Sequence, residues 1–223
     1  MPDHPPLRSY GRTKARVLKP RQAALVEALL PRLALPEEGA LDVDAAQPSV
    51  LEIGFGGGEH LVAQAAAHPD ARFIGVEPFL NGVASCLRHI EESGVANVRL
   101  HRGDARDLMA RLPDASLDRV DILFPDPWPK KRHWKRRLIQ GEFVADLARV
   151  LKPGGEVRFA TDWAHYAAWT LGVFADDPRF GWTAERPADW RAPWQGHVTT
   201  RYEQKRLGDC AAVWLKFVRC NNN

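Results

Sequence analysis

From Leu51 to Glu59 the chain reads Leu-Glu-Ile-Gly-Phe-Gly-Gly-Gly-Glu, and no other stretch restricts the fold as much. A short apolar run ends in a glycine-rich turn, and the turn leads into an alanine-rich segment, Glu59–His68, with helical character. Strand, tight turn and helix start therefore follow one another without spare residues. Glycine adopts backbone angles that other residues avoid and lets a ligand approach the main chain closely.

The same rhythm continues downstream. Val50–Ile53, Arg72–Val76, Val98–His101, Arg119–Phe124 and Glu156–Ala160 read as strands. Between them, Phe79–Ser93, Ala105–Leu112 and Ile139–Leu151 read as helices, and Ala164–Phe174 follows the last. Lys152-Pro153-Gly154-Gly155 stops the helix before it, because proline and glycine cannot continue one. Ala211–Val218 is a late strand at or near an edge. The pattern predicts an α/β fold: a Rossmann-like, mostly parallel seven-stranded sheet with helices on both faces. Residues 22–35 carry a short helical pattern, and 36–48 read as a linker. A basic arm with its short helix (1–35) thus precedes the main domain (36–223). Residues 178–197 hold Pro178, Pro187, Pro193, Trp182, Trp190 and Trp194, which suggests a long functional loop or lid.

The glycine turn is not the dinucleotide fingerprint. Gly54 and Gly56 fit a G-x-G-x-x-G spacing, but Glu59 takes the third glycine position, which argues against a nicotinamide oxidoreductase. Glu52 and Glu59 would repel a pyrophosphate and suit a positively charged cofactor. Glu77 closes the second strand, near where such folds place an acid on a ribose diol. Asp104 ends the third strand and can accept from an adenine amino group, or cap the helix that begins at Ala105. Glu52, Glu77, Asp104 and Asp126 together form a series of acids at successive strand ends, the ligand-binding edge of open α/β sheets.

Asp126 sits in Phe124-Pro125-Asp126-Pro127-Trp128-Pro129, directly before Lys130-Lys131-Arg132-His133-Trp134-Lys135-Arg136-Arg137. Six Lys/Arg fall within 130–137 and six more within 8–21, with no acid in either stretch. Removing those twelve from the net charge of +3 leaves −9 for the remainder. Positive charge so concentrated implies a polyanionic partner; two solvated loops are the alternative. Three scattered cysteines, Cys86, Cys210 and Cys220, fit a reduced compartment and no metal-ligand spacing. With no signal-peptide stretch and no apolar run long enough to span a bilayer, a cytoplasmic protein is expected.

Glu-Ile-Gly-Phe-Gly-Gly-Gly, Phe-Pro-Asp-Pro-Trp-Pro-Lys-Lys-Arg-His, Ala-Thr-Asp-Trp and Thr-Arg-Tyr-Glu, in that order, resemble the bacterial tRNA (guanine-N7)-methyltransferases over roughly residues 8–218. The resemblance implies a class I, S-adenosylmethionine-dependent enzyme that methylates N7 of guanosine 46 in the tRNA variable loop. The residues themselves suggest no metal cluster and no membrane partner, and they leave monomer and homodimer both open. By that likeness Gly54, Gly56, Glu52, Glu77, Asp104 and Asp126 line the cofactor site. Lys130, Asp162 and Thr200, Arg201, Tyr202 and Glu203 face the substrate, and Arg132, His133, Trp134, Lys135, Arg136 and Arg137 touch RNA.

Guanine N7 has a free lone pair, so in-line positioning carries most of the catalysis. Asp126, rigidly flanked by prolines, is the expected catalytic residue, stabilising positive charge as it develops; the alternative is a turn or capping acid. Guanine's N1–H and N2–H₂ are donors, which makes Asp162 and Glu203 candidate readers, although Asp162 could equally cap the helix after it. The basic clusters alone would also suit a non-catalytic RNA-binding module; the acid series would not.

Overall fold

The computed structural model describes residues 17–44 and 46–221; most of the expected basic arm, including Ser9-Tyr10-Gly11-Arg12, lies outside them. Strands β1 (Ser49–Ile53), β2 (Arg72–Val76), β3 (Val98–His101), β4 (Leu117–Leu123), β5 (Leu151–Thr161), β6 (Phe180–Trp182) and β7 (Val213–Arg219) form one sheet. Its order is β3-β2-β1-β4-β5-β7-β6. The first five strands run parallel, and β7 is antiparallel to both neighbours. All five residues of β1 are buried, as expected for a parallel strand covered on both faces.

Among the described residues the α-helices are α1 (Pro20–Ala28), α2 (Leu30–Leu33), α3 (Glu59–Ala67), α4 (Leu80–Ser93), α5 (Ala105–Arg111), α6 (Gly141–Val150), α7 (Ala164–Ala175), α8 (Ala188–Arg191) and α9 (Arg201–Lys205). One core joins Leu51, Ile53, Val120 and Ile122 to Leu108 of α5 and Phe143, Val144 and Leu147 of α6. The other face joins Val50 and Phe73 to Leu61 of α3 and to Val83 and Leu87 of α4. Each such buried side chain contributes about 2 kcal/mol of hydrophobic stabilisation. Among the described residues no helix is long and apolar enough to cross a membrane.

Several local expectations change. The helical pattern over 22–35 is two helices, because Pro31 has no N–H to continue the first. The segment read as a linker buries Leu41 and Val43, and Leu41 N–H donates to Arg111 O at 2.9 Å. α6 ends at Val150, but β5 begins at once; the Lys152–Gly155 residues bulge from it between the pairs Leu117–Leu151 and Arg119–Glu156. Residues 178–197 are not only loop. They contain β6, anchored by Phe180 against Phe174 at 5.1 Å, and this short strand moves β7 one place in from the edge.

Candidate active site

Strand order reverses between β1 and β4, which opens a crevice at their carboxyl ends. A cleft of about 710 Å³ lies there, lined by Ile53, Gly54, Val76, Pro78, Asp104, Asp126 and Trp128, with Arg136 and Gln140 on its far wall. The glycine turn forms one rim. Gly54, Gly56 and Gly58 all have positive φ, and a Cβ on Gly58 would stand 2.5 Å from Cys86 Sγ. A Cβ on Gly82, within α4, would stand 2.5 Å from Gly56 O, so α4 and the turn can approach this closely only because Gly58 and Gly82 carry no side chain.

Glu77 is buried beneath this rim. One carboxylate oxygen accepts from Gly56 N at 3.0 Å and the other from Phe79 N at 2.9 Å, which ties the turn to the start of α4. Burial raises its pKa against the pull of those two N–H groups, and nearby Asp126 adds to the rise. Asp104 does cap α5, accepting from Arg106 N at 2.9 Å, and the Arg106 side chain grips the same carboxylate at 2.9 and 2.7 Å. Burial alone would raise the Asp104 pKa; the Arg106 contacts outweigh it and hold the carboxyl below its ordinary range. Capping and cleft lining thus coexist in one residue.

Asp126 is held by an unusual backbone. Phe124 (φ +51°) and Trp128 (φ +44°) are both left-handed on either side of it, a conformation that costs bulky residues energy and clusters at functional sites. The fold clamps both ends. The Phe124 ring packs 5.7 Å from both Trp214 and Tyr202, and Trp128 lies 5.1 Å from the Arg136 guanidinium. The Asp126 side chain is open to water on the cleft side, but enough protein surrounds it that burial pushes its pKa upward.

The basic run divides. A 3-10 helix, Lys131–Arg136, displays Lys131, Arg132 and Lys135 to solvent, with Lys130 exposed just ahead of it; His133 and Arg136 are half-buried. Trp134 packs inward, 4.4 Å from the His165 ring. Arg137 goes further in. It is 3% exposed, lies over the rings of Tyr166, Trp134 and Trp169 at 4.9, 5.2 and 5.2 Å, and donates to Pro127 O at 2.9 Å. Contrary to the expectation of an RNA contact, its charge serves as an internal brace for the proline corner.

Glu52 also departs from its expected place. It shares the β1 face with Val50, away from the cleft, and meets His60 Nδ1 of α3 at 2.8 Å. Glu52, His60 and Asp121 bring polar atoms within 4.8 Å of one another, close enough to hold an ion. The Glu52–His60 separation is nevertheless hydrogen-bond length, and Arg119 supplies positive charge to Asp121 at 3.1 Å. The arrangement is that of a buried hydrogen-bonded charge cluster. Burial opposes charge on His60, but Glu52 outweighs it and raises the His60 pKa.

Asp162 is buried and accepts from Gly208 N at 2.9 Å. It does not cap α7; Asp209 does so, accepting from Ala164 N at 2.8 Å. The other Asp162 oxygen, Oδ1, is buried without a partner. Thr200 caps α9 in a reciprocal box with Glu203, Arg201 pairs with Glu59 at 2.8 Å, and Tyr202 closes on Phe124. The Tyr202 pKa is raised by burial first, with the charges of Asp162 and Asp126 adding to it, so α9 stands beside both acids.

Residues 46–214 match a family model described as "Putative methyltransferase". A tRNA (guanine-N(7)-)-methyltransferase of Caulobacter sp. (strain K31) is 59% identical over 97% of this chain and 96% of its own. One from Hyphomonas neptunium is 53% identical over 95% and 99%. The chain belongs to the tRNA (guanine-N(7)-)-methyltransferase family. The class I methyltransferase fold recurs at low identity in the 16S rRNA methyltransferase KamB (14% identical, TM-score 0.54, covering 78% of this chain and 88% of that one). It recurs also in a 16S rRNA (adenine(1408)-N(1))-methyltransferase of Catenulisporales acidiphilia solved with its cosubstrate SAM (16%, TM-score 0.54, 82% and 94%).

Within this family member, three contributors to the site were not singled out in the sequence. Gly82 is one; a glycine inside the Phe79–Ser93 helical pattern was the available signal. Arg106, which locks Asp104, follows it by two residues in a capping position. His197 and its partners carried no local signal, because they meet only through the tertiary fold.

Proposed function

We propose that this enzyme transfers the methyl group of S-adenosylmethionine to N7 of guanosine 46 in the variable loop of cytoplasmic tRNA. The observation that carries the reading is the adjacency of Asp126, on its clamped corner over an acid-lined cleft, to the solvent-facing cations Lys130, Lys131, Arg132 and Lys135. The cleft residues fit the donor. A Cβ on Gly54 or Gly56 would meet nothing within 4 Å, which leaves main chain open to a close ligand, and the carboxylates suit a cation. S-adenosylmethionine, when bound, supplies an electrophilic methyl group on a positively charged sulfur.

Glu77 retains lone pairs for a ribose diol, and Asp104 for an adenine amino group. Asp126 holds charge and takes up no proton, since guanine N7 needs no base. N7 is inaccessible in the deep major groove of an A-form helix, so the nucleotide must be presented from a loop. By this reading the Thr200–Glu203 turn meets its Watson–Crick edge, and Asp162, whose Oδ1 is buried without a partner, adds negative charge beside Tyr202.

Bulk tRNA incubated with labelled S-adenosylmethionine is expected to yield label in 7-methylguanosine. Label elsewhere, or undiminished label in a transcript with adenosine at position 46, overturns the reading. Replacing Lys131, Arg132 and Lys135 together by glutamine is expected to reduce the slope of log affinity against log salt by about 2 to 3, because each phosphate contact contributes roughly 0.7–0.9. An unchanged slope in a filter-binding titration removes the 3-10 helix from the RNA interface. Arg137 is excluded from this set because its charge is buried.

A further inference from the structure

Helix α3 begins directly after Gly58, the last glycine of the turn, and its side chains also hold the segment that leads to Thr200. Gln64 Nε2 donates to Gly196 O at 2.7 Å, while Gln64 Oε1 accepts from Arg119 at 3.0 Å. Glu59 pairs with Arg201. The His60 ring lies 5.3 Å from the ring of His197. His60 and Gln64 are four residues apart and so project from one face. From below, His60 is anchored on Glu52 in β1.

His197 is the centre of this junction. It lies in an irregular segment, but its side chain is only 3% exposed and packs 4.5 Å from the Trp214 ring. Its Nδ1 is buried without a hydrogen-bond partner, an arrangement that costs free energy and calls for a compensating role. Its Nε2 meets Glu203 Oε2 at 2.8 Å. That same oxygen accepts from Thr200 N at 3.3 Å. Burial holds the His197 pKa below its ordinary value, so the neutral ring with its proton on Nε2 is the donor to Glu203.

We propose that His197 is a positioning residue for methyl transfer: it fixes Glu203, and with it the Thr200–Glu203 turn, against α3, so that the guanosine-facing turn keeps a set position relative to the glycine turn. The proposal rests on the reading that Thr200–Glu203 meets the target nucleotide. His197 acts through Glu203 and needs no contact with tRNA itself.

The test compares wild type with His197→Leu, His197→Gln and Gln64→Met in tRNA KM, kcat and S-adenosylhomocysteine affinity by calorimetry. Glutamine can place an amide N–H near the position of Nε2; leucine cannot. His197→Leu is expected to raise the tRNA KM about tenfold, the loss of one hydrogen bond to a charged group, with S-adenosylhomocysteine affinity within about twofold of wild type. His197→Gln is expected to recover KM to within about threefold, although it too loses the imidazole packing. Wild-type kinetics in His197→Leu, equal impairment of both variants, or a parallel loss of S-adenosylhomocysteine affinity overturns the proposal. If the leucine variant does not fold, Gln64→Met, which cuts the Gly196 tie at similar volume, must raise the tRNA KM while S-adenosylhomocysteine still binds; an unchanged KM is equally fatal. A wild type that forms no 7-methylguanosine sinks the functional reading itself, whereas an active wild type beside a normal His197→Leu sinks only the role of His197.

Discussion

Asp126→Asn is expected to lower methyl transfer, at saturating cofactor and tRNA, by about a hundredfold or more, the scale on which a preorganised electrostatic contact at a reacting centre acts. The substitution keeps the shape of the side chain and removes its charge. The corner itself should survive, because Phe124 and Trp128 are held by Trp214, Tyr202 and Arg136 rather than by the carboxylate. Burial raises the Asp126 pKa, so the charged form is present above that raised value and is lost as pH falls through it. The wild-type rate should therefore decline on acidification with an apparent pKa above the ordinary aspartate value of about 4, and this limb should be absent from the asparagine variant. A single-turnover pH series measures both effects. Near-normal turnover in Asp126→Asn would leave the residue as a turn acid.

Arg137→Leu is expected to destabilise the protein by about 3 kcal/mol, through loss of desolvated cation–π contacts and of a buried charged hydrogen bond. For a chain of this size that corresponds to a fall of roughly 10 °C in the unfolding midpoint. Lysine should not rescue it, because an ammonium cannot lie flat among the rings of Tyr166, Trp134 and Trp169 while donating to Pro127 O. Urea denaturation measures the change. If Arg137→Leu instead weakens tRNA binding at unchanged stability, the guanidinium serves RNA and not the proline corner. Folded Arg137→Leu should also turn over slowly, since the carbonyl it restrains belongs to the residue after Asp126.

Much of the scaffold could be read directly from residue order. A strand followed by a glycine turn and a helix start is a local arrangement, as is an acid that closes an apolar run. Hence β1 to β4, α3 to α6 and the placement of Glu77, Asp104 and Asp126 at one sheet edge were all visible in the chain. The family motifs sharpened the chemistry in the same way, because Pro125-Asp126-Pro127-Trp128 and its basic tail are contiguous.

Facing and long-range pairing were decided elsewhere. Every residue of β1 is buried, so no polar alternation told which side Glu52 takes; packing against His60 turned it away from the cleft. Within Lys130–Arg137 one cation resembles the next in sequence, and only the cage of Tyr166, Trp134 and Trp169 selected Arg137 for the interior. Three residues of a proline-rich stretch became β6 because β7 offered them a free edge. His197 meets His60 across 137 positions of chain. What the sequence determined by itself is the order of elements and the acids at their ends, since these depend on neighbours along the chain. The tertiary structure alone decided which charges are buried and which surfaces meet, because those depend on contacts that form only when distant segments close on one another.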